Sequence, residues 1–201
     1  LLSSLGAEPP EQLPYDLNLK AVLKPNKIFT GESVSPVIEV VNVGTNPVNS
    51  FSVRLIINET LINLAINDVA LAPEQSGTYN LPEINLLSGQ NLIGVEVLTV
   101  EGVTDDNPLN NQKVFNFLAN TYTDFIPVRK NFDDNIGQWD VLNEDDIRTW
   151  EIIEAPTGNL SASVELFDYA NSGTSDWLVS PALDFTFAPE AAMSFRYAYG
   201  S

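Results

Sequence analysis

Neither cysteine nor histidine occurs among these 201 residues. Their absence removes disulfides, thiol nucleophiles, Ser-His-Asp triads and the usual Cys/His zinc sites. Basic residues are scarce as well: nine lysines and arginines stand against 27 aspartates and glutamates, a net charge of −18. So acidic a chain repels phosphate, which argues against nucleic acid and anionic membranes as partners. No apolar run approaches the roughly 20 residues a helix needs to span a bilayer, so membrane insertion is not expected. No secretory leader is seen, and the chain opens on Leu1-Leu2 rather than methionine, which reads as an internal piece of a longer protein.

What is present is apolar sequence, 44% of the residues, arranged with a period of two. The stretch Val37–Asn58 organises the reading. Phe51, Val53, Leu55 and Ile57 alternate with Ser52 and Arg54, the pattern of a half-buried strand. Upstream, Val37–Val43 forms a second apolar run, and Gly44-Thr45-Asn46-Pro47 between them carries turn chemistry. The pair is expected to form the central hairpin of a β-sandwich, with Val40, Phe51, Val53, Leu55, Val95 and Val97 in its core. The upstream strand is expected to take in residues 34–43, and further strands are expected at residues 17–21, 61–66, 76–81, 91–100 and 112–119. Pro25-Asn26, Gly31, Asn58-Glu59, Pro73, Ser88-Gly89 and Asp105–Pro108 punctuate them. Seven short strands in about 100 residues, without helical periodicity, is an immunoglobulin-like count. Residues 1–14 hold three prolines and no alternation, and read as a linker or the tail of a preceding domain.

Residues 15–119 resemble the CARDB domain, a bacterial immunoglobulin-like module associated with cell adhesion. The resemblance rests on DLNLKAV, the turn Asn42-Val43-Gly44-Thr45, LAPEQSGTYNL and the acidic corner D-N-x-x-N-N at Asp106–Asn111. It implies an extracellular location and supplies no catalytic residues.

Beyond Ala119 the character changes. Residues 119–201 have a net charge of −10 and hold all three tryptophans. RTWEII, SVELFDYA and AMSFRYAY again read as strands; in the last, Met193, Phe195, Tyr197 and Tyr199 share one face. The order NFDDNIGQWDVLN, TWEI, SDWLVSPALDF and MSFRYAYG resembles the cleaved-adhesin or choice-of-anchor J jelly-roll modules. Those occur in large secreted proteins of type IX-secreting bacteria of the Bacteroidetes kind. A jelly roll has about eight strands, and residues 120–201 supply fewer. The fold class expected is therefore all-β: an immunoglobulin-like antiparallel sandwich over 15–119, followed by an incomplete jelly-roll β-sandwich over 120–201.

Site chemistry is sparse. Asp133, Asp134 and Asn135, with Asp184, are the oxygen donors a structural calcium ion would take; solvated turn acids are the plainer reading, since their spacing fits no EF-hand. Trp139, Trp150 and Trp177, with Tyr169 and Tyr197, are the aromatics that could form a platform for stacking against a sugar. Burial in a core is the commoner outcome and is expected of Trp150 and Trp177, which leaves Trp139, after Gly137-Gln138, as the tryptophan expected at the surface. Asn58-Glu59-Thr60 and Asn159-Leu160-Ser161 match the N-glycosylation pattern, marking surface loops. No catalytic residue is assigned. The function expected is that of non-catalytic adhesion or spacer modules of a larger secreted or cell-surface protein. Their partners would be its other domains, cell-surface proteins or polysaccharide. Accessory domains of a secreted peptidase and a carbohydrate-binding module are the alternatives.

Overall fold

The computed structural model describes residues 13–133, 135–155, 158–169, 173–188 and 190–198. It divides into two compact units. The first takes in the described residues up to Leu86 together with Asn91–Phe117; the second takes in Leu87–Gln90 and the described residues from Leu118 onward.

The first unit is an antiparallel β-sandwich. Its strands are β1 (Leu17–Lys24), β2 (Ile28–Thr30), β3 (Ser33–Val34), β4 (Val37–Asn42), β5 (Phe51–Ile57), β6 (Thr60–Ile66), β7 (Ser76–Asn80), β8 (Ile84–Asn85), β9 (Gly89–Val100), β10 (Val103–Thr104) and β11 (Gln112–Asn120). One sheet runs β1-β4-β7; the other runs β2-β11-β9-β5-β6, with β10 attached to β9, and β3 pairs separately with β8. Alternation selects what goes inside. Phe51, Val53, Leu55 and Ile57 are buried while Ser52, Arg54 and Ile56 are not, and Val53 and Leu55 meet Val97 and Val95 of β9 in register. From the opposite sheet come Leu17, Leu19, Ile38 and Val40, all fully buried. The edge of the Phe51 ring rests on Tyr79 of β7 at 5.2 Å between centroids, which joins the two sheets across the core.

The Val37–Asn58 stretch behaves differently from its expected hairpin. β4 and β5 lie in different sheets. Residues 43–50 between them form a crossing loop, longer than the usual hairpin connection of about 2–5 residues, and Val48 is pinned within it by a two-way backbone bridge to Leu71. Alternation tells which face of a strand is buried and leaves its neighbour open, so both strands fit either arrangement. The hairpin that does form is β5–β6, closed by Asn58-Glu59 with both residues at positive φ, the geometry of a type I′ turn.

The second unit builds smaller ladders. β12 (Thr123–Phe125) lies parallel to β17 (Ala182–Asp184), β13 (Asp140–Leu142) antiparallel to β16 (Trp177–Val179), and β14 (Glu151–Glu154) antiparallel to β15 (Leu160–Ser163). Pro181 falls between β16 and β17, which pair with different strands, and having no N–H it donates to neither ladder. Two expectations are corrected here. Residues 191–198 form no strand, and Met193, Phe195 and Tyr197 are exposed: among the described residues no neighbouring strand pairs with them, and alternation without a partner leaves the backbone groups unbonded. Trp177, expected in a core, is 42% exposed. Its two-stranded ladder has too little cover to bury a ring of that size.

Candidate functional site

A dense polar construction lies where the chain passes into β1. Thr45 N donates to the Leu13 carbonyl at 3.0 Å and Asn46 N to that of Pro14 at 3.1 Å. Val43 N and Gly44 N both donate to the Asp16 carbonyl, at 2.9 and 3.0 Å. From the other side, Tyr15 N donates to Asp106 Oδ2 and Leu17 N to Asp105 Oδ2, at 2.8 and 2.7 Å. Asp106 N returns a bond to the Tyr15 carbonyl, and Asn110 Nδ2 donates to Asp16 Oδ1, each at 2.8 Å. Residues 13–17 are thus held between two loops, 43–46 and 105–110.

Each loop is shaped for that grip. Asn42 is wholly buried; its Nδ2 donates to the carbonyls of Asn46 and Leu71 and its Oδ1 accepts from Gly44 N, closing the turn on itself. Gly44 serves by being small rather than by a left-handed backbone. A Cβ there would lie 2.7 Å from the Pro14 oxygen and 2.8 Å from Asp16 N. At the other loop Asp105 Oδ1 accepts from Asn107 N at 2.9 Å, an Asx turn that leads into the 3-10 turn Pro108–Asn110. Burial pushes the Asp105 carboxyl above the ordinary carboxylate range, partly opposed by the N–H donors of Leu17 and Asn107 and by the Asn111 side chain. Beside this clamp opens a polar groove of about 630 Å³, lined by Asp16, Asn18, Thr45, Glu74, Asn107 and Asn110 among others.

The residues singled out from sequence lie elsewhere. Asp133 accepts from Asn131 Nδ2 at 2.6 Å, and Asn135 Oδ1 accepts from Gly137 N, so both close local turns. Asp134 lies outside the described residues. Thr186 donates its hydroxyl and then its backbone N–H to Asp184, holding that carboxyl below its ordinary value. Among the described residues no three acidic groups gather where they could hold a metal. Trp139 is half-buried, its ring edge-on to Phe132 at 5.6 Å. Asn58 is engaged rather than open: Nδ2, the atom a glycan would occupy, donates to Asn91 Oδ1 at 2.7 Å.

Neither a protein-family model nor a curated protein matches the chain. Solved structures show partial likeness. A domain assigned to the cell surface in Methanosarcina acetivorans aligns at 17% identity over 53% of this chain and 93% of its own, with a TM-score of 0.44. The CARDB domain of a Pyrococcus furiosus protein aligns at 22% identity over 54% of this chain and 97% of its own, with a TM-score of 0.42. A 1.5-MDa bacterial ice-binding adhesin aligns at 15% identity over 84% of this chain and 54% of the adhesin chain, with a TM-score of 0.31. Scores and identities this low support no inference about ligand or activity.

The clamp was only half visible in the sequence. The Asn42–Thr45 turn and the Asp106–Asn111 corner both stood out, yet nothing in their spacing says that they close on the same five residues from opposite sides. Asp16 gave no separate signal, and Asp105 only that of a turn. A buried acid becomes recognisable only once its donors are placed.

Proposed function

We propose that the two units are non-catalytic extracellular modules of a larger secreted or cell-surface protein, serving adhesion and the spacing of other domains. The clamp on residues 13–17 carries this reading. Tension drawn along the chain at Leu13 meets eight hydrogen bonds between residues 13–17 and two separate loops before it loads the β1–β4 ladder. A module strung between other domains needs resistance at that point. The acids there are engaged by backbone N–H groups and an amide, a structural use of carboxylates. The resemblance of residues 15–119 to CARDB and the absence of histidine and cysteine point the same way. Other domains of the same protein, cell-surface proteins or polysaccharide are the partners this role implies.

Pulling single molecules through flanking handle domains tests the reading. Asp105→Ala, which strips acceptors from Leu17 and Asn107, is expected to lower the unfolding force of the first unit well below that of the intact chain. Equal forces in the two would remove the mechanical argument.

A further inference from the structure

The second unit contains a hollow of about 310 Å³ whose lining includes Trp150, Val164, Leu166, Tyr169, Thr174 and Asp176. Its walls are of two kinds. Trp150, Val164 and Leu166 offer ring and aliphatic C–H surface; Tyr169, Thr174 and Asp176, with Ser175 beside them, offer oxygens. The polar wall is pre-arranged. Trp150 Nε1 donates to the Asp176 carbonyl at 3.3 Å, which fixes the indole. The Tyr169 hydroxyl donates to Asp145 Oδ2, which also accepts from Thr174 Oγ1 at 3.0 Å. Through that bond to Asp145, Tyr169 has its pKa raised and keeps its phenolic proton. One group is left over: Asp176 Oδ1 is buried without a hydrogen-bond partner among the described residues. A buried carboxylate oxygen with no donor is costly; Asp176 is a lining residue, and a rotation of its side chain would turn that oxygen toward a donor arriving in the hollow.

We infer that this hollow binds a neutral pyranose sugar, with a C–H face of the ring against Trp150 and hydroxyls donating to Asp176 and exchanging bonds with Thr174 and Ser175. Three features select that chemistry. The lining carries carboxylate and no cation among its described residues, so phosphate, sulfate and carboxylate ligands are repelled. A purely apolar ligand would leave Asp176 unmet. A sugar presents an apolar face and a rim of hydroxyl donors together, and the volume sits at the lower end of small-molecule sites, suited to one or two rings. A lone ammonium would satisfy the carboxylate while leaving the hydroxyls and the aliphatic wall unused. The site is centred on Trp150 and Tyr169 rather than on Trp139, the tryptophan the sequence suggested. It is independent of the spacer role, which requires no ligand.

The test uses the full chain, titrated with a panel of neutral hexopyranoses and their β-linked disaccharides. The three indole N–H resonances are followed by NMR after assignment with single Trp→Phe variants. At least one sugar is expected to move the Trp150 resonance saturably and leave that of Trp139 unmoved. Asp176→Asn and Thr174→Val should each weaken binding by about tenfold, with melting temperatures showing that the fold persists. Should one variant fail to fold, the other, at a separate position, still decides. No saturable shift at Trp150 up to the solubility of every sugar, a response at Trp139 instead, or unchanged affinity in a folded variant would overturn the inference. So would displacement of the bound sugar by a lysine amide, which would mark the hollow as a site for cationic side chains.

Discussion

An alanine at position 44 would set its methyl 2.7 Å from the Pro14 oxygen and 2.8 Å from the Asp16 nitrogen, both fixed backbone atoms. The segment 13–16 would have to move, loosening the bonds from Val43 and Gly44 to the Asp16 carbonyl. Gly44→Ala is therefore expected to cost about 1–3 kcal/mol, read as a lower urea midpoint with an unchanged slope. Asp105 gives a second case. Its two oxygens accept from Leu17 N and Asn107 N, so in Asp105→Asn the new amide NH₂ faces a donor whichever way it turns. That variant should lose about 1–3 kcal/mol. Its pH dependence has a definite sign. Burial raises the folded pKa of Asp105, so the folded state holds the proton more tightly than the unfolded chain. Stability then falls as pH rises from the ordinary carboxylate pKa to the folded value, and is level beyond it. The stability advantage of wild type over Asp105→Asn should shrink across that window in equilibrium unfolding. A growing advantage would mean that the N–H donors outweigh burial.

Among the strands, β5 was legible to the residue, because seven positions with one face buried leave little choice of phase. The pairing of β4 was not. Its burial pattern is as clean as that of β5, but a strand buried on one face can find its neighbour in either sheet of a sandwich. β2, β3, β8 and β10 escaped notice because two or three residues cannot display a period. The β5–β6 turn is open to improvement. Glu59 sits at φ +67° in the left-handed region, which costs an L-residue about 1–2 kcal/mol, and Asn-Gly is the sequence such turns favour. Asn58 also bonds Leu92 N through Oδ1, so it should be kept. Glu59→Gly is expected to stabilise the first unit by about 0.5–1 kcal/mol, seen as a higher melting temperature. In the second unit Trp150 and Tyr169 stood among the aromatics of a possible sugar platform, but nothing in the sequence set them beside Asp176: the three come from separate segments, and only the fold brings them to one hollow.

For the molecule as a whole, the order in which its parts become available matters. β11 lies between β2 and β9 in the larger sheet, and the acids that grip Tyr15 and Leu17 stand 91 and 88 positions further along. A fragment ending at Asn111 should therefore remain unfolded, with poorly dispersed NMR resonances. One ending at Asn120 should unfold cooperatively in urea. Cooperative folding of the shorter piece would show that β11 is dispensable. Contacts of such long sequence separation form slowly, and in the extracellular role proposed above the slowness would have a use. A polypeptide exported through a narrow pore must stay threadable until most of it has crossed. Because the strand that completes this sheet arrives last, the β5–β6 hairpin can form early while the sandwich cannot close. In that extracellular role, the topology itself would postpone closure until β11 had emerged on the far side.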